Sequence, residues 1–208
     1  MITSLRQMTS LALLGSLWCI IEIYGDLLLR SLQIPLRGAL LMSFGIVFLS
    51  VAQFTLSGRW LVLGLGLLTA TLKLLILGVW SLWPSLGILI ETVLVQTIFL
   101  IGRPGQRHVV LAGMVGVTWS FFHPFVTHGL IAGAGIYRVY LNLIEKSMQV
   151  FRLQLFSPLQ FFFLWLLLHT IFGLVAGIIA WNLVQLIQRR LLTLANRLDG
   201  GSRSSVAE

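Results

Sequence analysis

The chain has 208 residues, 58% hydrophobic and 10% charged, with a formal net charge of +8 and a mean hydropathy of +0.98. That is too apolar for an ordinary soluble domain, so the sequence describes an integral membrane protein with room for roughly six spans of about 20 residues and no soluble catalytic module. The basic residues lie in expected loops and the C-terminal tail rather than among aromatics, which argues against a nucleic-acid partner, and the lone Cys19 excludes an intramolecular disulfide or a cysteine-based metal cluster.

Apolar stretches punctuated by Gly, Pro and Arg predict helices at roughly 9–29, 36–57, 60–80, 84–101, 109–133 and 158–187. The first continues past Glu22 and Asp26 with no small-x-small cleavage site, so it is expected as a retained helix, not a signal peptide. Its inner half carries a small-residue strip, Ala12, Gly15, Ser16 and Cys19, which suits close packing within the chain or against a partner. In the fifth span Pro124 follows His123, which predicts a kink or a division of the helix, because proline lacks a donor and its predecessor avoids helical backbone.

Within 137–156, Tyr137, Leu141, Ile144, Met148, Phe151 and Leu155 recur at helical spacing opposite Arg138, Asn142, Glu145, Lys146, Gln149 and Arg152. This predicts an amphipathic helix at the membrane surface, either a plain anchor or a cap over a pocket. Residues 196–208 are polar and are expected as a disordered tail, leaving 1–195 as one domain. The expected fold class is thus an all-α integral membrane protein, a bundle of six transmembrane helices with an additional amphipathic helix before the last span.

Six spans place both termini on one side. That side holds Arg6, Arg59, Arg103, Arg107, Arg189, Arg190, Arg197 and Arg203, against Arg30, Arg37, Arg138, Lys146 and Arg152 on the other. The bias favours cytoplasmic termini in a multi-pass protein of the cell (inner) membrane.

Function has to be argued from the ionisable residues inside the spans: Glu22, Asp26, Lys73, Glu91, His123, His128 and His169. Charge in hydrocarbon is costly, so such groups mark a binding site or a pathway. At about 1.5 Å per residue, Glu22, Lys73 and Glu91 lie roughly 10 Å below the outer surface, with His123 and His169 at similar depth and Asp26 and His128 shallower. The inner half has almost nothing ionisable, which suits a pocket open to the outside above an apolar floor and not a continuous channel.

Lys73 and Glu91 sit on helices joined by a short connection, so they are expected to meet, as a packing ion pair or as part of the site. Glu22 and Asp26, one turn apart, need a histidine, Arg30, Arg37 or a ligand as partner. Trp80, Trp83, Trp119 and Tyr137 are candidate apolar or stacking walls. Three carboxylates against one lysine predict an excess negative charge and a cationic, zwitterionic or basic heterocyclic ligand. The histidines with Glu22 or Asp26 leave a metal site open, although neither HExxH nor GxSxG occurs. The alternatives to a binding subunit are a metal-dependent intramembrane hydrolase and a non-catalytic membrane assembly protein.

The run Gly15-Ser16-Leu17-Trp18 through Glu22, the strip Ala12-x-x-x-Ser16, and the segments Ile34-Pro35-Leu36-Arg37-Gly38, Leu72-Lys73-Leu74-Leu75 and Ile90-Glu91 carry a family likeness. Over residues 9–187 the chain resembles the substrate-binding S component of an energy-coupling factor (ECF) transporter. The resemblance implies a subunit that captures a vitamin-like or other micronutrient ligand and works with a membrane coupling subunit and paired cytoplasmic ATPases. It places the coupling-subunit contact at Ala12 and Ser16, requires no cofactor in this chain, and leaves catalysis of ATP hydrolysis to the partners. The long amphipathic segment 137–156 departs from the family pattern.

Overall fold

The computed structural model describes residues 5–34, 36–56, 58, 60–132, 136–150 and 157–204, with the side chains of 128–132, 136, 137, 139, 140, 143, 147, 150, 158 and 195–204 outside the description. The helices are α1 (Leu5–Ser31), α2 (Arg37–Thr55), α3 (Leu61–Leu77), α4 (Leu82–Leu100), α5 (Gln106–Ala132), α6 (Ile136–Val150) and α7 (Pro158–Ser204), with no strand among the described residues. Five helical stretches are long and apolar enough to cross a membrane: Leu5–Ser31, Arg37–Thr55, Leu61–Leu100, Gln106–Thr127 and Leu159–Leu194. The chain is therefore an all-helical protein with the composition of a multi-pass membrane protein.

Local chemistry explains the boundaries. α1 ends in a Schellman motif: Ile34 N–H donates to Leu29 O at 3.0 Å, with Gln33 in the left-handed region at φ 52. Leu36, which precedes α2, is also left-handed at φ 63, although it has a bulky side chain. α3 ends at Gly78, whose φ of 67 favours glycine, and a 3-10 turn at Gly78–Ser81 leads into α4. Ser81 Oγ donates to Gly78 O at 2.9 Å and lies 3.3 Å from Lys73 O, tying the turn together. Across it α3 and α4 double back, and Thr92 occupies the place where a side chain on Gly66 would stand.

α7 begins with a reciprocal capping box. Ser157 N–H donates to Gln160 Oε1 at 3.0 Å, Gln160 N–H donates to Ser157 Oγ at 3.3 Å, and Pro158 fills the first helical position. α5 is not divided at Pro124 but continues to Ala132, and Thr127 Oγ1 donates to the His123 and Pro124 carbonyls at 3.0 and 3.2 Å. α7 runs on to Ser204, into the polar stretch expected as a tail.

α2 is the central helix, touching α1, α3, α4, α5 and α7, while α6 rests on α5 and α7. Around α2 the neighbours follow the order α1, α3, α4, α5, α7, and α1 and α7 make no contact among the described residues. The core between them is apolar, with Trp18, Ile46, Leu49, Val62, Leu65 and Val95 completely or almost completely buried. The tightest approach joins α5 to α7. A methyl group on Gly177 would stand 2.6 Å from Val110 Cα, and one on Gly113 would stand 2.8 Å from Gly177 N, so these helices meet backbone to backbone, with Gly173 in the same contact.

Gly177→Ala is therefore expected to force α5 and α7 apart and to destabilise the bundle by about 1–3 kcal/mol, read as a lower unfolding temperature in detergent. Gly64→Ala, whose methyl would meet only Leu11 Cδ2 at 3.6 Å, should leave that temperature nearly unchanged.

Candidate binding site

At the end of the bundle where α1 joins α2 and α3 joins α4, the helices part around a cavity of about 530 Å³. This is within the usual size range of small-molecule sites, roughly 300–1,000 Å³. α1 supplies Glu22, Asp26 and Arg30, the start of α2 supplies Arg37, α3 supplies Lys73, α5 supplies Phe121, His123 and Phe125, and α7 supplies Phe161, Phe162, Trp165 and His169. Ile144 of α6 closes part of the rim.

One wall is ionic. Lys73 Nζ donates to Glu22 Oε2 at 2.7 Å, and both residues are 4% exposed. Higher up, Asp26 accepts from Arg30 Nη2 at 2.8 Å and from Arg37 Nε at 3.3 Å, so one carboxylate ties the end of α1 to the start of α2. The arginines are about half exposed, so screening by solvent makes these pairs much weaker than the buried one.

The opposite wall is aromatic. Phe121 is the hub, with ring centroids 5.1 Å from Phe125, 5.0 Å from Phe162 and 5.6 Å from His169. Trp165 stacks on Phe161 at 5.6 Å and meets His169 edge to face at 5.5 Å. Both histidines bind backbone carbonyls: His123 Nε2 to Trp83 O at 3.0 Å and His169 Nδ1 to Trp165 O at 2.9 Å. A carbonyl only accepts, so these ring nitrogens carry the hydrogen, and in the neutral rings Nδ1 of His123 and Nε2 of His169 are acceptors. Gly87 makes the first contact possible, since a methyl there would lie 2.9 Å from His123 Nε2.

The structure thus brings Glu22, Asp26, Lys73, His123 and His169 to one cavity and separates others expected with them. Lys73 pairs with Glu22 on α1, not with Glu91. Glu91 is fully buried and does not line the cavity. Trp83 contributes its backbone carbonyl and not a wall. Trp119 faces a separate, apolar groove of about 330 Å³ with Thr118 and Thr170, and Trp80 is 95% exposed. The side chains of His128 and Tyr137 lie outside the described residues. The fourth histidine, His108, binds Ile101 O at 2.6 Å in the connection between α4 and α5.

The charge of the lining also differs from expectation. Arg30, Arg37 and Lys73 oppose Glu22 and Asp26, so with neutral histidines the cavity carries one excess positive charge, where an excess negative charge was expected. Among the described residues no group of three or more His, Cys, Asp or Glu converges as a metal site requires. The aromatic wall is the feature that sequence reasoning missed; its signal was the pair of runs Phe121-Phe122-His123-Pro124-Phe125 and Phe161-Phe162-Phe163. Comparison with family models, curated proteins and solved structures finds no match.

Removing one member of the buried pair leaves the other without its partner. Lys73→Met should cost about 3–5 kcal/mol in unfolding free energy, and Lys73→Met combined with Glu22→Gln should recover most of that loss. Asp26→Asn, at a half-open site, should cost less than about 1 kcal/mol in the same assay.

Proposed function

We propose that the chain is the membrane-embedded, substrate-binding subunit of an ECF-type importer, capturing a micronutrient-sized ligand in a pocket open to the outside. The observation that carries this reading is the cavity at one end of the bundle: ionisable and aromatic side chains from five helices meet there, next to a core that includes Trp18, Ile46, Leu49 and Val95. A cavity that ends at a largely apolar core favours capture over conduction, because a channel needs polar groups at every depth.

In this reading α3 and α4 cross the membrane separately, giving six spans with cytoplasmic termini in the cell membrane. α6 lies at the outer surface and caps the mouth through Ile144. Ala12 and Ser16 are exposed on α1, on a face free to meet a coupling subunit, and paired cytoplasmic ATPases would power release. The protein binds and presents its ligand, and ATP hydrolysis belongs to the partner chains.

The lining narrows the ligand. A flat ring would sit against Phe121, Phe162 and Trp165, an anionic group would face Arg30 and Arg37, and a hydrogen-bond donor would meet His169 or Glu22. Of the cationic, zwitterionic and basic heterocyclic ligands expected from the sequence, the zwitterionic class fits this set best, and a singly anionic heteroaromatic compound, outside that expectation, fits it too.

Native mass spectrometry of protein gently extracted from its own membrane should detect a retained small organic molecule. Its occupancy should fall by on the order of 10–100-fold in Glu22→Gln and His169→Ala, the loss expected for one charged or buried polar contact, and should be unchanged in Arg190→Ala. Stoichiometric zinc without an organic ligand would contradict the proposal and favour the hydrolase alternative.

A further inference from the structure

Glu91 is the most deeply buried ionisable side chain among the described residues, at 0% exposure, and neither of its carboxylate oxygens has a hydrogen-bond partner among them. It lies against the backbone of the central helix: a methyl on Gly45 would stand 2.9 Å from Glu91 Oε1 and 2.9 Å from Trp18 Cζ2. α5 faces it with Gly116, where a methyl would be 3.6 Å from Glu91 Cγ. The neighbouring helices therefore meet it with Trp18, Gly45 and Gly116, none of which carries charge. The charged groups within electrostatic reach are Glu22 on α1 and Lys73 on α3.

These three residues form a closed electrostatic unit. Glu22 and Glu91 bring two negative charges and Lys73 one positive charge, and all are 4% exposed or less. With every group ionised the unit would hold a net charge of −1 in an apolar interior, a state that solvation energy strongly disfavours. Lys73 is already committed to Glu22 at 2.7 Å. A proton on Glu91 would make the three residues neutral, and among the described residues no group of His, Cys, Asp or Glu converges there to hold a metal cation instead.

We propose that Glu91 is a proton-binding site, carrying one proton from solvent in the resting protein, so that Glu22, Lys73 and Glu91 together are electrically neutral. Lys73 links this proton to the cavity that it lines. The inference goes beyond the importer reading and does not depend on any ligand.

The test is infrared spectroscopy of the full chain reconstituted in lipid vesicles at neutral pH, in H₂O and D₂O. The background is small, since the chain has only six Asp and Glu residues. The wild type should show one protonated carboxylic acid C=O band with a deuterium shift, and Glu91→Gln should abolish it. Glu22→Gln should abolish it too, because the charge of Lys73 then balances an ionised Glu91. Lys73→Met should double its intensity, and the two glutamine variants suffice if the methionine variant does not accumulate. Absence of the band in folded wild type, its survival in Glu91→Gln, or an unchanged band in Glu22→Gln would each overturn the proposal.

Discussion

An ammonium group held 2.7 Å from a carboxylate inside an apolar bundle is stable only while the helices that carry the two charges stay in register. For Lys73 and Glu22 that register is set two turns earlier on α1. There Gly15 lacks a side chain, Leu68 takes its place, and the Thr69 hydroxyl lies 3.3 Å from the Gly15 carbonyl in hydrogen-bonding position. Because α1 and α3 are locked together, the pair is both a structural clamp and part of the cavity wall. The rest of the site is arranged relative to it: Asp26 and its two arginines lie one turn above Glu22.

The aromatic wall depends on a different kind of contact. α5 and α7 touch backbone to backbone through Gly113, Gly173 and Gly177, which brings Phe121, Phe162 and His169 within ring-packing distance at the cavity end. Lipid tails offer no hydrophobic drive for helices to associate, so such close packing and internal polar contacts have to hold the bundle together. Glycine therefore recurs where function needs proximity, at Gly45 against Glu91 and at Gly87 against His123, as well as between helices. The left-handed backbone at Gln33 and Leu36 belongs to the same economy of space, since it turns the chain back sharply enough for Arg37 to reach Asp26.

Much of this was legible in the sequence. Hydropathy located α1 to α5 and the start of α7 to within a few residues, and counting residues along the helices placed Glu22, Lys73, Glu91, His123 and His169 at similar depth, of which all but Glu91 line the cavity. Asp26 met both arginines named as its possible partners. What the sequence did not reveal is rotation. In helices that are apolar on nearly every face, spacing gives depth but not direction, so adjacency along the chain suggested Glu91 as the partner of Lys73 when the true partner lies 51 residues away on α1. The same loss of direction put Trp83 and Trp119 in the wall and left out Phe121 and Trp165. The capping box at Ser157 and Gln160 and the Gly173-x-x-x-Gly177 motif were readable signals that hydropathy alone does not report.

In the proposed importer the cavity opens to the outside of the cell and is closed from within. Because Cys19 is the only cysteine, a Cys19→Ser background allows single cysteines to be placed at Ser120 or Phe125 in the cavity and at Gln188 near the opposite end of α7. These can be challenged in intact cells with a membrane-impermeant maleimide. The cavity positions should react from outside, and Gln188→Cys should react only after the membrane is opened. Labelling of Gln188→Cys from outside, with the cavity positions silent until lysis, would contradict the proposal.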